Sequence, residues 1–99
     1  MFDHFDLINM ERVVASAIKF FPVANPFPMI VTGKRHADVF HTMHLYDIQY
    51  DKSSAVQGFL TDTGRFVNRY EAMKIALAAD QIIVPKNLLH DALFSEDVW

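Results

Sequence analysis

Four basic residues and one histidine are the best chemical candidates in this chain. Lys34, Arg35 and His36 are consecutive, and Arg65 and Arg69 stand four residues apart. An imidazole beside guanidinium groups can hold a phosphate or carboxylate, and it can move a proton near neutral pH. Arg69 opens a predicted helix on its inner side, where the main-chain N–H groups and the macrodipole also favour an anion. An inward arginine needs a counter-charge. It is either internal (Glu11, Asp47, Glu96 or the terminal carboxylate) or supplied by a ligand. The ligand-binding set is therefore Arg35, His36, Arg65 and Arg69, with Arg65 equally readable as a cross-strand surface charge.

Other constellations are weaker. His41 and His44 neighbour each other on a helix, but His36 and His41 are about 140° apart at ~100° per residue, which suits one metal ion poorly. His41 and His44 are expected on the solvated face, His36 and Asp47 turned inward, and no metal or cofactor is expected. His36 is the one catalytic candidate, as an acid/base. A chain with no Cys has no thiol nucleophile or zinc knuckle, and no Gly-x-Ser-x-Gly or phosphate-cradling glycine loop occurs. Glu11 falls among apolar neighbours on a helical wheel, either reaching water at an edge or shielded, with a raised pKa or a basic partner.

These residues need elements to position them. Ninety-nine residues make a single domain, and 52% apolar content with a net charge of −3 is enough to build a core. The acidic balance argues against general nucleic-acid binding. The acidic start of the chain is unlike a signal peptide, and no apolar run is long enough to span a membrane, so a cytoplasmic protein is expected. Residues 7–21 read as a helix capped by Asp6 and stopped by Pro22, with polar residues on one narrow stripe. A proline-bearing linker follows to residue 28. The helix's apolar arc is too broad for one small sheet to cover, which predicts a dimer or partner face at Leu7, Met10, Val14, Phe20 and Phe21.

Residues 29–99 read as the core module. Residues 29–32 form a short buried strand, and residues 36–46 a helix with Val39, Phe40, Met43 and Tyr46 on one face. Residues 55–67 form a β-hairpin turning at Thr61-Asp62-Thr63-Gly64. Asn68 caps a helix to about residue 79, with Glu71 at the capping-box position. Residues 81–84 are extended and could pair as a strand. A short helix is expected near residues 87–94, and Trp99 either pins the tail to the domain or anchors a partner. The fold class is α+β: an antiparallel or mixed sheet of about three strands with three or four helices.

Several fragments occur together in order: Thr32-Gly33-Lys34-Arg35-His36, Gln57-Gly58-Phe59-Leu60-Thr61, Gly64-Arg65-Phe66-Val67-Asn68-Arg69, Glu71-Ala72, Gln81-Ile82 and Leu93-Phe94-Ser95-Glu96-Asp97-Val98-Trp99. Their combination resembles a family of small tailed-bacteriophage proteins, over residues 29–99. The resemblance implies an origin in a phage and no activity. The opening of the 68–79 helix also invites comparison with a Nudix hydrolase, but the further metal-binding carboxylates of that helix are missing. The expected function is a non-catalytic phage accessory protein. It would act on a host protein, such as a defence protein, or sequester a small anionic ligand such as a nucleotide. The alternatives are a small nucleotide-modifying enzyme using His36 with an arginine clamp, and a homo-oligomeric structural module.

Overall fold

The computed structural model describes residues 11–83 and 92–99. The fold is α+β, built on a four-stranded antiparallel sheet of order β2-β1-β3-β4. The strands are β1 (Val13–Phe20), β2 (Met29–Gly33), β3 (Val56–Thr61) and β4 (Phe66–Asn68). Helix α1 (His36–Leu45) follows β2, α2 (Arg69–Ala78) follows β4, and the four-residue α3 (Ser95–Val98) closes the described chain.

The largest departure from the sequence reading is at the N-terminal side. Residues 13–20 form the central strand of the sheet, not part of a helix. Ser16, Ile18 and Phe20 alternate with Ala15, Ala17 and Lys19, and β1 pairs with β2 on one side and β3 on the other. Ala17, Ile18 and Phe20 have no exposed surface. Between its inward residues stand the small apolar Ala15 and Ala17, with the exposed Lys19, so the period-two contrast is weak and the run looks like an over-wide apolar arc on a helical wheel. The breadth ascribed to a partner face belongs to this strand. Phe20 is core, Val14 and Phe21 are exposed, and Leu7 and Met10 lie outside the described residues.

β2 is an edge strand rather than a buried one, with Met29 and Ile30 exposed. The hairpin forms as its turn chemistry dictates. Gly64 takes φ +84°, Gly64 N–H donates to Thr61 O at 2.9 Å, and β3 pairs with β4 from Gly58↔Asn68 to Leu60↔Phe66. Asn68 caps α2 by accepting the Glu71 N–H at 2.8 Å.

Residues 81–83 do not form a strand. The Gln81 side chain instead supplies both halves of a strand-like pair to β1: Oε1 accepts Val13 N–H at 2.9 Å and Nε2 donates to Val13 O at 2.8 Å. This occurs where the β1–β3 register shifts between Val13 and Ala15, so the amide satisfies main-chain groups at an irregularity. Val84 and most of the helix expected near residues 87–94 lie outside the described residues; Phe94 itself is extended and immediately precedes α3.

The helices cover the sheet face that carries Ser16, Ile18, Phe20 and Phe59. One core cluster joins Val13, Phe59 and Val67 to Ala72, Met73 and Ala76 of α2 and to Leu93 and Val98 of the tail. A second joins Ile18 and Phe20 to Val39 and Met43 of α1. On the other face, the Phe66 ring lies over Gly58. A Cβ at Gly58 would stand 2.6 Å from Phe66 Cζ and collide with the Val67 carbonyl oxygen. Gly58→Ala should therefore cost about 1–3 kcal/mol, the range for forced overpacking. Denaturant titration measures it, and a neutral result would show that the ring and strand move aside freely.

Candidate functional site

The sequence-selected residues separate into three places. The first is a buried node around His36, which opens α1 and is 7% exposed. Nε2 lies 2.7 Å from Gly58 O on β3, and Nδ1 lies 2.7 Å from Ser95 Oγ on α3. A carbonyl only accepts, so Nε2 carries the proton and Nδ1 accepts from the Ser95 hydroxyl. The Ser95 oxygen in turn accepts the His36 main-chain N–H at 3.1 Å. The imidazole is held neutral and fully satisfied, with its ring edge-on to Phe59 at 5.0 Å. Burial pushes the His36 pKa below its usual value, and the nearby Arg69 charge adds to that, against Gly58 O and Glu96, which act the other way.

The same node fixes the tail. Arg35 Nη2 donates to Trp99 O at 2.7 Å, the Trp99 ring lies 6.2 Å from Phe59, and Asp97 O accepts Ile83 N–H at 2.8 Å. Trp99 is thus pinned to the domain. Arg35 also begins α1: its N–H donates to Asp38 Oδ2 at 3.0 Å, and its carbonyl accepts from Asp38 and Val39.

Arg69 reaches the edge of this node. Nη2 donates to Gln57 Oε1 at 2.5 Å, and the guanidinium lies over the Phe94 ring at 4.8 Å. Its Nε is buried without a hydrogen-bond partner. Of the internal partners considered for it, Glu11 goes to Arg65 and Asp47 is exposed beyond the far end of α1.

The second place is a charged cluster on the hairpin. Arg65 grips Glu11 with two parallel bonds, Nη2–Oε1 at 2.7 Å and Nε–Oε2 at 3.0 Å, and reaches Glu71 Oε2 with Nη1 at 2.8 Å. The Thr61 and Thr63 hydroxyls each donate to Glu11 Oε2 at 2.6 Å. Glu11 therefore has the basic partner considered for it, but its pKa is lowered to about 2 by these bonds rather than raised. The Arg65 pKa is raised by the same two carboxylates. Two carboxylates around one guanidinium leave net negative charge, so Arg65 is not placed to hold an anion.

The third place lies beyond α1. Asp47 takes φ +51°, and Ile48 N–H reaches back to Met43 O at 3.0 Å, closing the helix. Asp47 accepts from Gln49 there and does not face His36. A cleft of about 310 Å³ opens beside it, lined by Phe40, Met43, His44, Asp47, Tyr50 and Lys52. His41 and His44 are exposed, and among the described residues no three His, Asp or Glu side chains gather where they could hold a metal. Among the same residues, no helix is long and apolar enough to cross a membrane. The cleft was not foreseen, because it combines α1 with a loop whose return to β1 (Pro22↔Tyr50, and Val23 N–H to Gln49 O at 3.0 Å) leaves no local sequence signal.

Comparison with known proteins returns one family. The model of the phage T4 y16D protein family matches residues 12–99, and the chain belongs to that family. No curated protein and no solved structure matches it.

The node makes two predictions. Ser95→Ala strands a buried N–H and a buried ring nitrogen, and should cost about 1–3 kcal/mol in denaturant titration; a loss within error would mean that water replaces the hydroxyl. The second concerns pH. Both His36 and Glu11 have folded pKa values below their unfolded ones, so the unfolded chain binds protons first and acid destabilises. Unfolding free energy should begin to fall below pH 6.5, through His36. It should fall again from pH 4.5 towards about 2, through Glu11. His36→Gln should remove the upper limb alone; stability rising between pH 6.5 and 5 would refute the neutral-imidazole assignment.

Proposed function

We propose that this member of the phage T4 y16D protein family is a non-catalytic accessory protein that works in the host cytoplasm by binding a host protein. The observation that carries the reading is a group of exposed apolar side chains beside the cleft. Val23 (73% exposed), Leu45 (66%) and Tyr46 (76%) surround the end of the molecule where the cleft opens, together with Phe21 and Phe40. Val23 is bonded to Gln49 of the cleft segment, and Leu45 and Tyr46 directly precede Asp47. Exposed aromatic and aliphatic side chains beside a cleft lined in part by His44, Asp47 and Lys52 combine the apolar anchors and polar groups of a protein-binding surface.

The other readings have less support. An enzyme using His36 would need a free ring nitrogen, and both are bonded within the protein. For a small anionic ligand, Arg35 and Arg65 already have partners, and the unmatched donor of Arg69 is a buried atom.

Immobilised wild-type chain should retain a specific protein from host lysate. Val23→Lys combined with Tyr46→Lys should lose it while keeping the wild-type circular dichroism, because both side chains are largely in solvent. Equal retention by both chains, or none by wild type, would sink the proposal. A rise in wild-type Tm with nucleotides that disappears in Arg69→Ala would favour the anionic ligand instead.

A further inference from the structure

We propose that the free edge of β2 pairs with the same edge of a second copy of this chain, joining two four-stranded sheets into one. β2 pairs only with β1, in an unbroken register from Ser16↔Gly33 to Phe20↔Met29. No other described residue hydrogen-bonds to the main chain of Met29–Gly33, so among the described residues the groups directed away from β1 have no partner. Natural edge strands are usually blunted by a charge, a proline, a bulge or a covering element. Within Met-Ile-Val-Thr-Gly there is no charge, proline or bulge. Its exposed side chains include Met29 (39%) and Ile30 (43%). The opposite edge of the sheet is different: β4 has three residues and runs directly into α2.

A second copy fits this edge better than an unrelated strand because the segment is complementary to itself. An antiparallel two-fold centred on Val31 sets Val31 against Val31, Ile30 against Thr32, and Met29 against Gly33 of the second copy. These are uncharged and largely β-branched pairs. The flexible Met29 side chain falls beside a residue with no side chain of its own. The pairing also has natural limits. Pro28 lacks an N–H at one end, and the chain turns into α1 at Lys34 and Arg35 at the other.

The nearest charges do not oppose it. The two Lys34 residues would stand six strand residues apart, about 20 Å along the edge. Lys19 lies opposite Ile30 on β1. The two Lys19 residues would be separated by three strand spacings, about 14 Å, which exceeds the roughly 8 Å Debye length at physiological salt.

Sedimentation equilibrium of the full chain over a dilution series tests the pairing. At high concentration the mass should approach twice the 11.4 kDa of one chain. The double variant Ile30→Glu with Thr32→Glu sets carboxylates against each other across the two-fold while residue 30 faces Lys19 within the chain, so it should remain at the single-chain mass, with circular dichroism unchanged. Amide exchange on the wild-type protein supplies a measure that does not depend on the variant folding. The N–H groups of Met29–Gly33 that point away from β1 should be protected when concentrated and exchange freely when dilute. A wild type of single-chain mass throughout would overturn the proposal. So would a double variant that still dimerises, or a dimer whose β2 amides stay unprotected. A single-chain wild type that protects those amides only when an extended peptide is added would assign the edge to a foreign strand. The partner surface at Val23 and Tyr46 is carried by different side chains, so loss of self-pairing leaves that reading standing.

Discussion

A neutral imidazole, closed off at both nitrogens, is the constraint on which the rest of this structure depends. His36 joins the start of α1 to the middle of β3 and to the tail helix α3. Each of these bonds adds only about 1 kcal/mol net, but breaking one leaves a buried polar group and costs more. The three segments must therefore move together or not at all. Gly58 has to bring its carbonyl to the imidazole while the Phe66 ring crosses its other face, and a side chain there would obstruct the ring. Ser95 has to sit at the start of α3, which places Val98 in the core and Trp99 beside Phe59.

Charge is distributed in keeping with that closed interior. Arg35 ends on a main-chain oxygen, Arg65 is shared by two carboxylates, and Arg69 spreads its guanidinium between an amide oxygen and an aromatic face. A cluster of arginines near a histidine suggests an anion clamp when read along the chain. In space, most of these donors tie one element to another. Glu11 shows the same change of role. Its carboxylate joins the segment leading into β1 to the hairpin turn, held by Thr61, Thr63 and Arg65, which lie at least 50 residues away in sequence.

What could be read in the sequence was what local chemistry decides. Asp62 and Gly64 announce the hairpin turn, Asn68 announces the start of α2, and three-four spacing announces α1; the structure agrees within a residue or two. The failures share a cause. Residues 13–20 were legible as apolar but not as a strand, because Ala15 and Ala17 at alternate positions leave little polar contrast with Ser16 and Ile18. The extended pairing anticipated for residues 81–84 is met by one side chain, Gln81, with the main chain left irregular. Glu71 stood at the capping-box position, and the box is half made: Asn68 accepts its N–H, while its carboxylate goes to Arg65. Partners outside the element decided each case, most of them far away in sequence, and a single sequence does not show them.

The fragments that carried the phage-family resemblance now have a physical meaning. The first supplies Arg35 and His36, the second Gln57, Gly58 and Phe59, the third Arg65 and Arg69, and the last Phe94, Ser95 and Trp99, and these side chains and carbonyls meet in the node or the hairpin cluster. Gln81 stitches the irregular end of β1. The resemblance therefore transmits a scaffold. Val23, Leu45 and Tyr46 stand outside all of these fragments, as do the exposed Met29 and Ile30 of the open edge. A side chain that holds no part of the scaffold can change without unfolding it, and it can meet a partner without first leaving a bond inside the protein. The side chains that join one element to another and the exposed apolar side chains are thus largely different residues, and part of the apolar content of the composition lies on the surface.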